Sequence, residues 1–204
     1  MDHRELGAAV IGLGVGRAHA AAYRRIDGAR LVAVSSLDEP ALKRAADAGL
    51  PVQFHTGAYS SADYLNAYRL RDNVRDLAEL AIARPELRFV AMHAAYPFQD
   101  ELVLAARQVS NLYAEMSWVW IVDPEAAAHF FSQMLVAAPL NKLIGFGGDY
   151  SLVENTLGHL LLARRGMARA LAALVRDHGW TLADAIEAGG YALRHAALGV
   201  YGCG

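Results

Sequence analysis

Residues 87–118, LRFVAMHAAYPFQDELVLAARQVSNLYAEMSW, decide the fold of this chain. The apolar runs at 87–93 and 111–118 are short enough to be buried strands, whereas the segment at 98–109 has the pattern of a helix. A strand, a helix and a second strand in this order predict a right-handed β-α-β unit with parallel strands. Proteins built from such units bind ligands at the carboxyl ends of their strands.

The same alternation of strand and helix runs along the whole chain. It predicts an α/β fold made of alternating β-α units around a parallel sheet. The sequence contains no low-complexity linker. We predict strands at 8–12, 31–36, 51–55, 87–93, 111–118 and 141–149, and helices at 17–26, 39–48, 61–84, 98–109, 124–138, 153–177 and 181–198.

The composition predicts a globular protein that acts on a small molecule. The chain has 204 residues, of which 55% are hydrophobic, and a net charge of −2. A balanced charge argues against a nucleic-acid surface, which needs clustered Lys and Arg. The single cysteine, Cys203, excludes an internal disulfide. No apolar run reaches the ~20 residues that span a bilayer, so we expect no membrane partner and a cytoplasmic location.

His55 is the first candidate site residue. It ends the run PVQFH and is followed by a threonine and a glycine, at the carboxyl end of a predicted strand. Chemistry in α/β proteins is usually found at this position. A histidine here could equally be a core residue hydrogen-bonded to the backbone, so His55 alone does not decide between a site and a packing role.

Residues 51–204 resemble the second half of the amidohydrolase superfamily. The resemblance is carried, in order, by PVQFHTG (51–57), residues 84–119, PLNKLIGFGGDYSLVENTLGHLLLARRGMARAL (139–171) and HAALGVYG (195–202). It implies a metal-dependent hydrolase with a (β/α)₈ barrel, of which these segments supply strands five to eight. It also implies that His55, His93 and Asp149 are metal ligands, and that His93 and Asp149 are catalytic.

The chemistry of these three residues agrees with that implication. Two neutral imidazoles and a carboxylate suit a divalent ion such as zinc, and an open position on the ion would acidify a water. Asp149 could then accept the proton of that water. Each of the three follows an apolar run and precedes a turn, so we expect them to converge on one face of the sheet.

The same resemblance also predicts an incomplete site. Members of this superfamily use a His-x-His pair on strand one and a ligand from strand four, and the sequence contains no His-x-His. A complete barrel needs eight strands and typically ~250 residues, whereas six strands are predicted here. We therefore expect a half barrel, residues 51–204, preceded by a foreign segment, residues 1–50.

Residues 8–50 resemble the start of the glucose-fructose oxidoreductase and inositol dehydrogenase family. The run AVIGLGVGRAHA (9–20) places Gly12, Gly14 and Gly16 between a strand and a helix, where backbone amides could approach the pyrophosphate of NAD(P). The glycine spacing is one residue short of the usual fingerprint, and Ser36 stands where a carboxylate would bind the ribose. Any dinucleotide binding should therefore be weak.

Three hypotheses on function remain open at this level. The first is an incomplete metal-dependent hydrolase, the second a nucleotide-binding module, and the third a non-catalytic α/β scaffold or chimera. The two β-α units of residues 1–50 are expected to continue the sheet of residues 51–204, with a homodimer as a further way to cover open edges. Secondary candidates for substrate contact are Tyr96, Trp118 and Glu154, whereas the histidines on predicted helices, including His159, are taken as surface or core residues.

Overall fold

The structure is a computed structural model that describes residues 6–11, 29–35, 47, 49–57, 67–150 and 152–202. The predicted helix at 17–26 lies outside the described residues, as does nearly all of the helix at 39–48. The same is true of Gly12, Gly14 and Gly16, so their predicted role in cofactor binding stays a prediction.

The strands form two parallel sheets. One sheet pairs β1 with β2, and the other has four strands in the order β3-β4-β5-β6. The strands are β1 (Leu6–Ile11), β2 (Ala29–Ser35), β3 (Val52–His55), β4 (Phe89–Met92), β5 (Leu112–Glu115) and β6 (Leu143–Ile144). The predicted alternation and the parallel sheet are confirmed, and four consecutive parallel strands are compatible with part of a (β/α)₈ barrel.

Each of the four strands of the larger sheet is followed along the chain by at least one helix. The helices are α1 (Ala67–Ala83), α2 (Gln99–Gln108), α3 (Val119–Val122), α4 (Pro124–Ala137), α5 (Val153–His178), α6 (Leu182–Gly190) and α7 (Ala196–Tyr201). The predicted helix at 181–198 is divided by a π-helical turn at Tyr191–His195. Within the described residues, no helix combines the length and the apolar character needed to cross a membrane.

Helix α4 shows why these segments fold as they do. Asp123 precedes the helix, its carboxylate accepts a hydrogen bond from the Ala126 N–H, and Pro124 occupies the first turn. Both features favour a helix start. Its apolar residues are spaced three and four apart and are buried in the core between the helices and the four-stranded sheet: Ala127, Phe130, Phe131 and Met134.

The continuous six-stranded sheet that we expected is not formed by the described strands. β1 and β2 pair only with each other in the described residues, although β1 lies beside β3. Strands that lie side by side without a shared hydrogen-bond ladder make a contact but do not form one sheet. The division of the chain into residues 1–50 and 51–204 remains a prediction.

Two polar side chains anchor the start of β5. The ammonium group of Lys142 donates to the carbonyls of Val109, Ser110 and Leu112 at 2.8, 2.6 and 3.0 Å. The Asn111 side-chain amide lies 2.8 to 3.0 Å from three carbonyls at the end of α1 and in the loop after it, those of Ala81, Arg84 and Leu87. These bonds fix the strand in the middle of the candidate site.

The edge of the sheet at β6 is closed by hydrogen bonds to helical residues. The N–H of Gly145, which follows β6, donates to the Ala192 carbonyl at 2.9 Å. The Gly145 carbonyl accepts from the indole Nε1 of Trp120, also at 2.9 Å. The predicted strand at 141–149 is therefore reduced to two residues, because the 3₁₀ turn Leu140–Lys142 precedes it and Gly145 bonds elsewhere.

Candidate functional site

Polar side chains stand at the carboxyl ends of all four strands of the larger sheet. His55 is the last residue of β3, His93 follows β4 directly, and Glu115 is the last residue of β5. Asp149 lies in the loop between β6 and α5. Because the strands are parallel and adjacent, these four residues share one edge of the sheet.

The end of β3 is held against the turn that follows β4. The hydroxyl of Thr56 donates to the Met92 carbonyl at 2.6 Å. Gly57 lies so close to the backbone of Ala95 and Tyr96 that a Cβ atom would overlap it. The sequence His-Thr-Gly thus brings His55 next to His93: threonine supplies a cross-strand bond, and glycine supplies the necessary space.

His93 begins a buried left-handed turn. His93, Ala94 and Ala95 have φ values of 60°, 50° and 54°, which residues with a Cβ atom adopt at a cost in energy. The ring nitrogen Nδ1 lies 3.0 Å from the Ser117 carbonyl. A carbonyl can only accept a hydrogen bond, so Nδ1 carries the proton. In the neutral ring the lone pair is then on Nε2, which has no hydrogen-bond partner.

The structure brings together the three residues that the sequence singled out. The His55 and His93 rings lie 4.2 Å apart between centroids. Nε2 of His93 is 3.6 Å from Oδ2 of Asp149, which is too long for a hydrogen bond. The predicted convergence of these side chains is thus observed, and their roles as ligands and catalytic groups stay predictions.

The His93–Asp149 pair fits a divalent ion. Two ligands about 2.1 Å from a tetrahedral zinc ion lie roughly 3.4 Å from each other. The observed 3.6 Å between Nε2 and Oδ2 is close to that separation. The set is not closed, since no group of three or more His, Cys, Asp or Glu in the described part of the chain is already arranged to hold a metal ion. Completing the set with His55 would therefore need a change in its position.

The electrostatics of the site favour neutral imidazoles. Burial lowers the pKa of His93, and it does so against the opposing effects of the Ser117 carbonyl and Asp149. Desolvation and the neighbouring His93 lower the pKa of His55, although part of His55 is exposed to solvent. Neutral imidazole is the form that binds metal ions.

Glu115 is a site residue that the sequence analysis missed. It is 3% exposed, and burial raises the pKa of its carboxyl group to about 7. The hydroxyl of Ser117 donates to Oε1 at 2.7 Å, whereas Oε2 makes no hydrogen bond of ordinary geometry. The sequence did contain a signal for this residue, namely an acidic side chain inside the apolar run LYAEM of a predicted buried strand. Acidic side chains are seldom buried at such positions unless they have a polar partner.

The secondary candidates fall in different places. Trp118 lies in the site: its ring is 6.4 Å from that of His93 and stacks on Tyr150 at 5.7 Å, and its Nε1 donates to the Asp149 carbonyl. The Tyr96 hydroxyl instead donates to Asp123, at the start of α4. Glu154 is exposed in the first turn of α5. Trp118 is thus the secondary candidate whose side chain lies beside His93 and the loop of Asp149, and its contact with a substrate stays a prediction.

Comparisons with known proteins agree with this arrangement. The family model that matches is described as amidohydrolase, and it covers residues 4–168. A crystal structure of a protein from Lactobacillus casei ATCC 334, classed as a metal-dependent hydrolase, has a TM-score of 0.57 and 23% identity. The likeness covers 98% of this chain and 53% of that one, so this chain spans about half the length of that protein. At this identity the likeness concerns the fold alone.

Two expected kinds of match were not found. No curated protein matches the chain. The resemblance of residues 8–50 to the glucose-fructose oxidoreductase family gains no support, because the family model that matches runs from residue 4 through this segment. The segment is thus matched together with the residues that form the candidate site.

Proposed function

Because the chain belongs to the amidohydrolase family, we propose that it is a metal-dependent hydrolase whose site is formed by His55, His93 and Asp149. The observation that carries this proposal is the pair of donor atoms Nε2 of His93 and Oδ2 of Asp149, 3.6 Å apart. The Ser117 carbonyl fixes the His93 tautomer that offers Nε2. A partner on the second ring nitrogen is usual for histidines that bind metal.

The three residues would have different tasks. His93, buried and held by Ser117, is the rigid ligand; His55, partly exposed, is the ligand that adjusts. When bound, a divalent ion, for which zinc is our first choice, supplies Lewis acidity towards a substrate carbonyl and a water. The carboxylate of Asp149 would accept the proton of the attacking water. Trp118 offers an apolar surface beside these groups for a small-molecule substrate.

The proposal is tested by measuring metal binding directly. The purified chain, stripped with a chelator, is titrated with Zn²⁺ in a calorimeter, and its metal content as purified is determined by mass spectrometry. We expect one bound ion per chain. In His93→Gln and Asp149→Asn the affinity for Zn²⁺ should fall by more than about 100-fold. This exceeds the loss that is typical when a residue that only hydrogen-bonds to a metal ligand is removed. The matched control is His129→Gln, on the exposed surface of α4.

The alternatives give different results in the same experiment. A scaffold without a metal site would bind Zn²⁺ weakly and equally in wild type, His93→Gln and His129→Gln. A nucleotide-binding module would release or absorb heat on titration with NAD(P), and its heat of Zn²⁺ binding would not depend on His93. Either result would contradict the proposal that this edge of the sheet is a metal site.

A further inference from the structure

Glu115 lies in the middle of the site edge, on the strand between those that lead to His93 and Asp149. Its carboxyl group is buried. Acidic residues are seldom buried in proteins unless a partner compensates their charge. One oxygen, Oε2, has no hydrogen bond of ordinary geometry. Burying such a group costs free energy that hydrogen bonds to one of its oxygens offset only in part. Its presence therefore needs an explanation other than stability.

The contacts of Glu115 lead to His93 by way of Ser117. The Ser117 hydroxyl donates to Oε1 of Glu115 at 2.7 Å. The carbonyl of the same Ser117 receives the proton of His93 Nδ1 at 3.0 Å. The backbone N–H of His93 also faces the Glu115 carboxyl group. The carboxyl group thus holds both the residue that orients the His93 ring and the start of the left-handed turn that carries it.

Glu115 also supports the loop that carries Asp149. Gly147 passes so close to Glu115 and Ser117 that a Cβ atom at this position would overlap Oε1 and Oγ. Two residues later, Asp149 adopts a φ of 49°, and its carbonyl accepts from the Trp118 indole. The carboxyl group and the hydroxyl together form the surface on which this loop rests.

We propose that Glu115 is a positioning residue that, through Ser117 and Gly147, fixes the ring of His93 and the loop of Asp149 for metal binding. The inference rests on the proposed function in so far as His93 and Asp149 are the ligands. Glu115 itself does not contact the ion. Residues that hold metal ligands in this way typically contribute about 10- to 100-fold to metal affinity.

The test uses Glu115→Met and Glu115→Gln. Methionine fills a similar volume without a hydrogen-bond acceptor, whereas glutamine keeps an oxygen for the Ser117 hydroxyl. We expect Glu115→Met, measured where it is fully folded, to lower Zn²⁺ affinity by about 10- to 100-fold, together with a lower melting temperature because the buried Ser117 hydroxyl loses its acceptor. Glu115→Gln should recover most of the affinity. If Glu115 were merely structural, Glu115→Met would lower the melting temperature but leave the Zn²⁺ affinity of the folded protein unchanged.

A second readout needs no metal. In the metal-free protein, ¹⁵N chemical shifts of the histidine rings report which nitrogen carries the proton, and His93→Gln identifies the His93 signals. We expect a single Nδ1–H tautomer in the wild type and in Glu115→Gln, and a mixture of tautomers in Glu115→Met. If Glu115→Met fails to fold, Ser117→Ala, which removes only the hydroxyl, should give the same mixture.

The outcomes separate this inference from the proposed function. A single Nδ1–H tautomer and wild-type Zn²⁺ affinity in Glu115→Met and Ser117→Ala would overturn the positioning role. If the wild type binds no Zn²⁺ but the tautomer changes as expected, Glu115 does position His93, and the proposed function fails instead.

Discussion

His159, on α5, is a buried histidine whose two ring nitrogens make no hydrogen bond of ordinary geometry. Its ring packs edge-on against Phe146 and Tyr150, at 5.0 and 5.6 Å between centroids. It thus lies under the loop that carries Asp149. Burial lowers the pKa of His159 below its usual value of 6.5. The ring is neutral in the folded protein at a pH where the unfolded chain already binds a proton.

The first prediction concerns stability against pH. Below pH 6.5 the unfolded state binds a proton at His159 that the folded state does not, so stability falls as the pH falls towards the folded pKa. For this one group, the free energy of unfolding changes by at most about 1.4 kcal/mol per pH unit. His159→Leu should lack this component and be as stable as the wild type or more so at pH 7.5. Urea unfolding at pH values from 5 to 7.5 measures this pH dependence. Parallel curves of unfolding free energy against pH for the wild type and His159→Leu would contradict the prediction.

The second prediction compares two glycines. Gly147→Ala should lower the free energy of unfolding by about 1–3 kcal/mol, because the new methyl group overlaps Glu115 and Ser117. Gly158, inside helix α5, has open space around the position of a Cβ atom. Gly158→Ala should therefore raise stability by about 0.5–1 kcal/mol. Equal effects of the two changes in denaturant unfolding would show that the fit at Gly147 is not tight.

Residues at strand ends could be identified from the sequence, and the partners that position them could not. His55, His93 and Asp149 each follow an apolar run, which is a local signal. The role of Ser117 depends on β4 and β5 lying side by side, since its carbonyl meets a ring from the neighbouring strand end. Glu115 carried a signal, but its position inside a predicted strand said nothing about which groups would surround it.

At the scale of elements, the start of β5 depends on Lys142, one of only two lysines in the chain. Its ammonium group satisfies three carbonyls in and before this strand, and the side chain is 6% exposed. Burial lowers the pKa of Lys142 to about 8. A buried ammonium group that makes three hydrogen bonds serves the structure, because without it each of the three carbonyls loses a donor.

The third prediction follows from this contact. Lys142→Met keeps the apolar stem but removes the donor, so the free energy of unfolding should fall by about 1–3 kcal/mol at pH 7. The matched control is Arg107→Met on the exposed side of α2, where a change within about 0.5 kcal/mol is expected. A loss no larger than that of the control would mean that water replaces the ammonium group at these carbonyls.

Element boundaries were predicted best where local signals are strong. The start of α4 at Pro124 and the first residue of α5 agree with the sequence patterns. The strand at 141–149 was predicted too long, because the apolar pattern does not reveal that Gly145 bonds to Ala192, which lies far along the chain. The π-helical turn at Tyr191–His195 likewise has no signal that the apolar pattern shows.

At the scale of the whole molecule, the four-stranded sheet and its helices account for the predicted α/β class. The order β3-β4-β5-β6 follows the order along the chain, as expected for consecutive right-handed units. Among the described strands, β1 and β2 pair only with each other. This could not be predicted from the sequence, because the pattern of a strand does not show which neighbour it pairs with. The predicted homodimer stays a prediction.

The fourth prediction links metal binding to the stability of the whole chain. An ion that binds only the folded state stabilises it by about 2.7 kcal/mol at a free concentration 100 times its dissociation constant. Thermal unfolding with Zn²⁺ should therefore occur at a higher temperature than with a chelator, and His93→Gln should abolish the difference. A shift of the same size in wild type and His93→Gln would place the bound ion elsewhere.

The hydrogen bonds of Gly145 also bear on aggregation. A strand edge with free N–H and C=O groups can recruit a strand from another molecule and start a fibril. The two-residue strand β6 is followed by Gly145, whose N–H donates to the Ala192 carbonyl and whose C=O accepts from the Trp120 indole. An incoming strand would first have to break both bonds, and it would gain few in return from so short a partner. Growth of cross-β fibrils from this edge is therefore disfavoured while the π-helical turn that carries Ala192 stays in place.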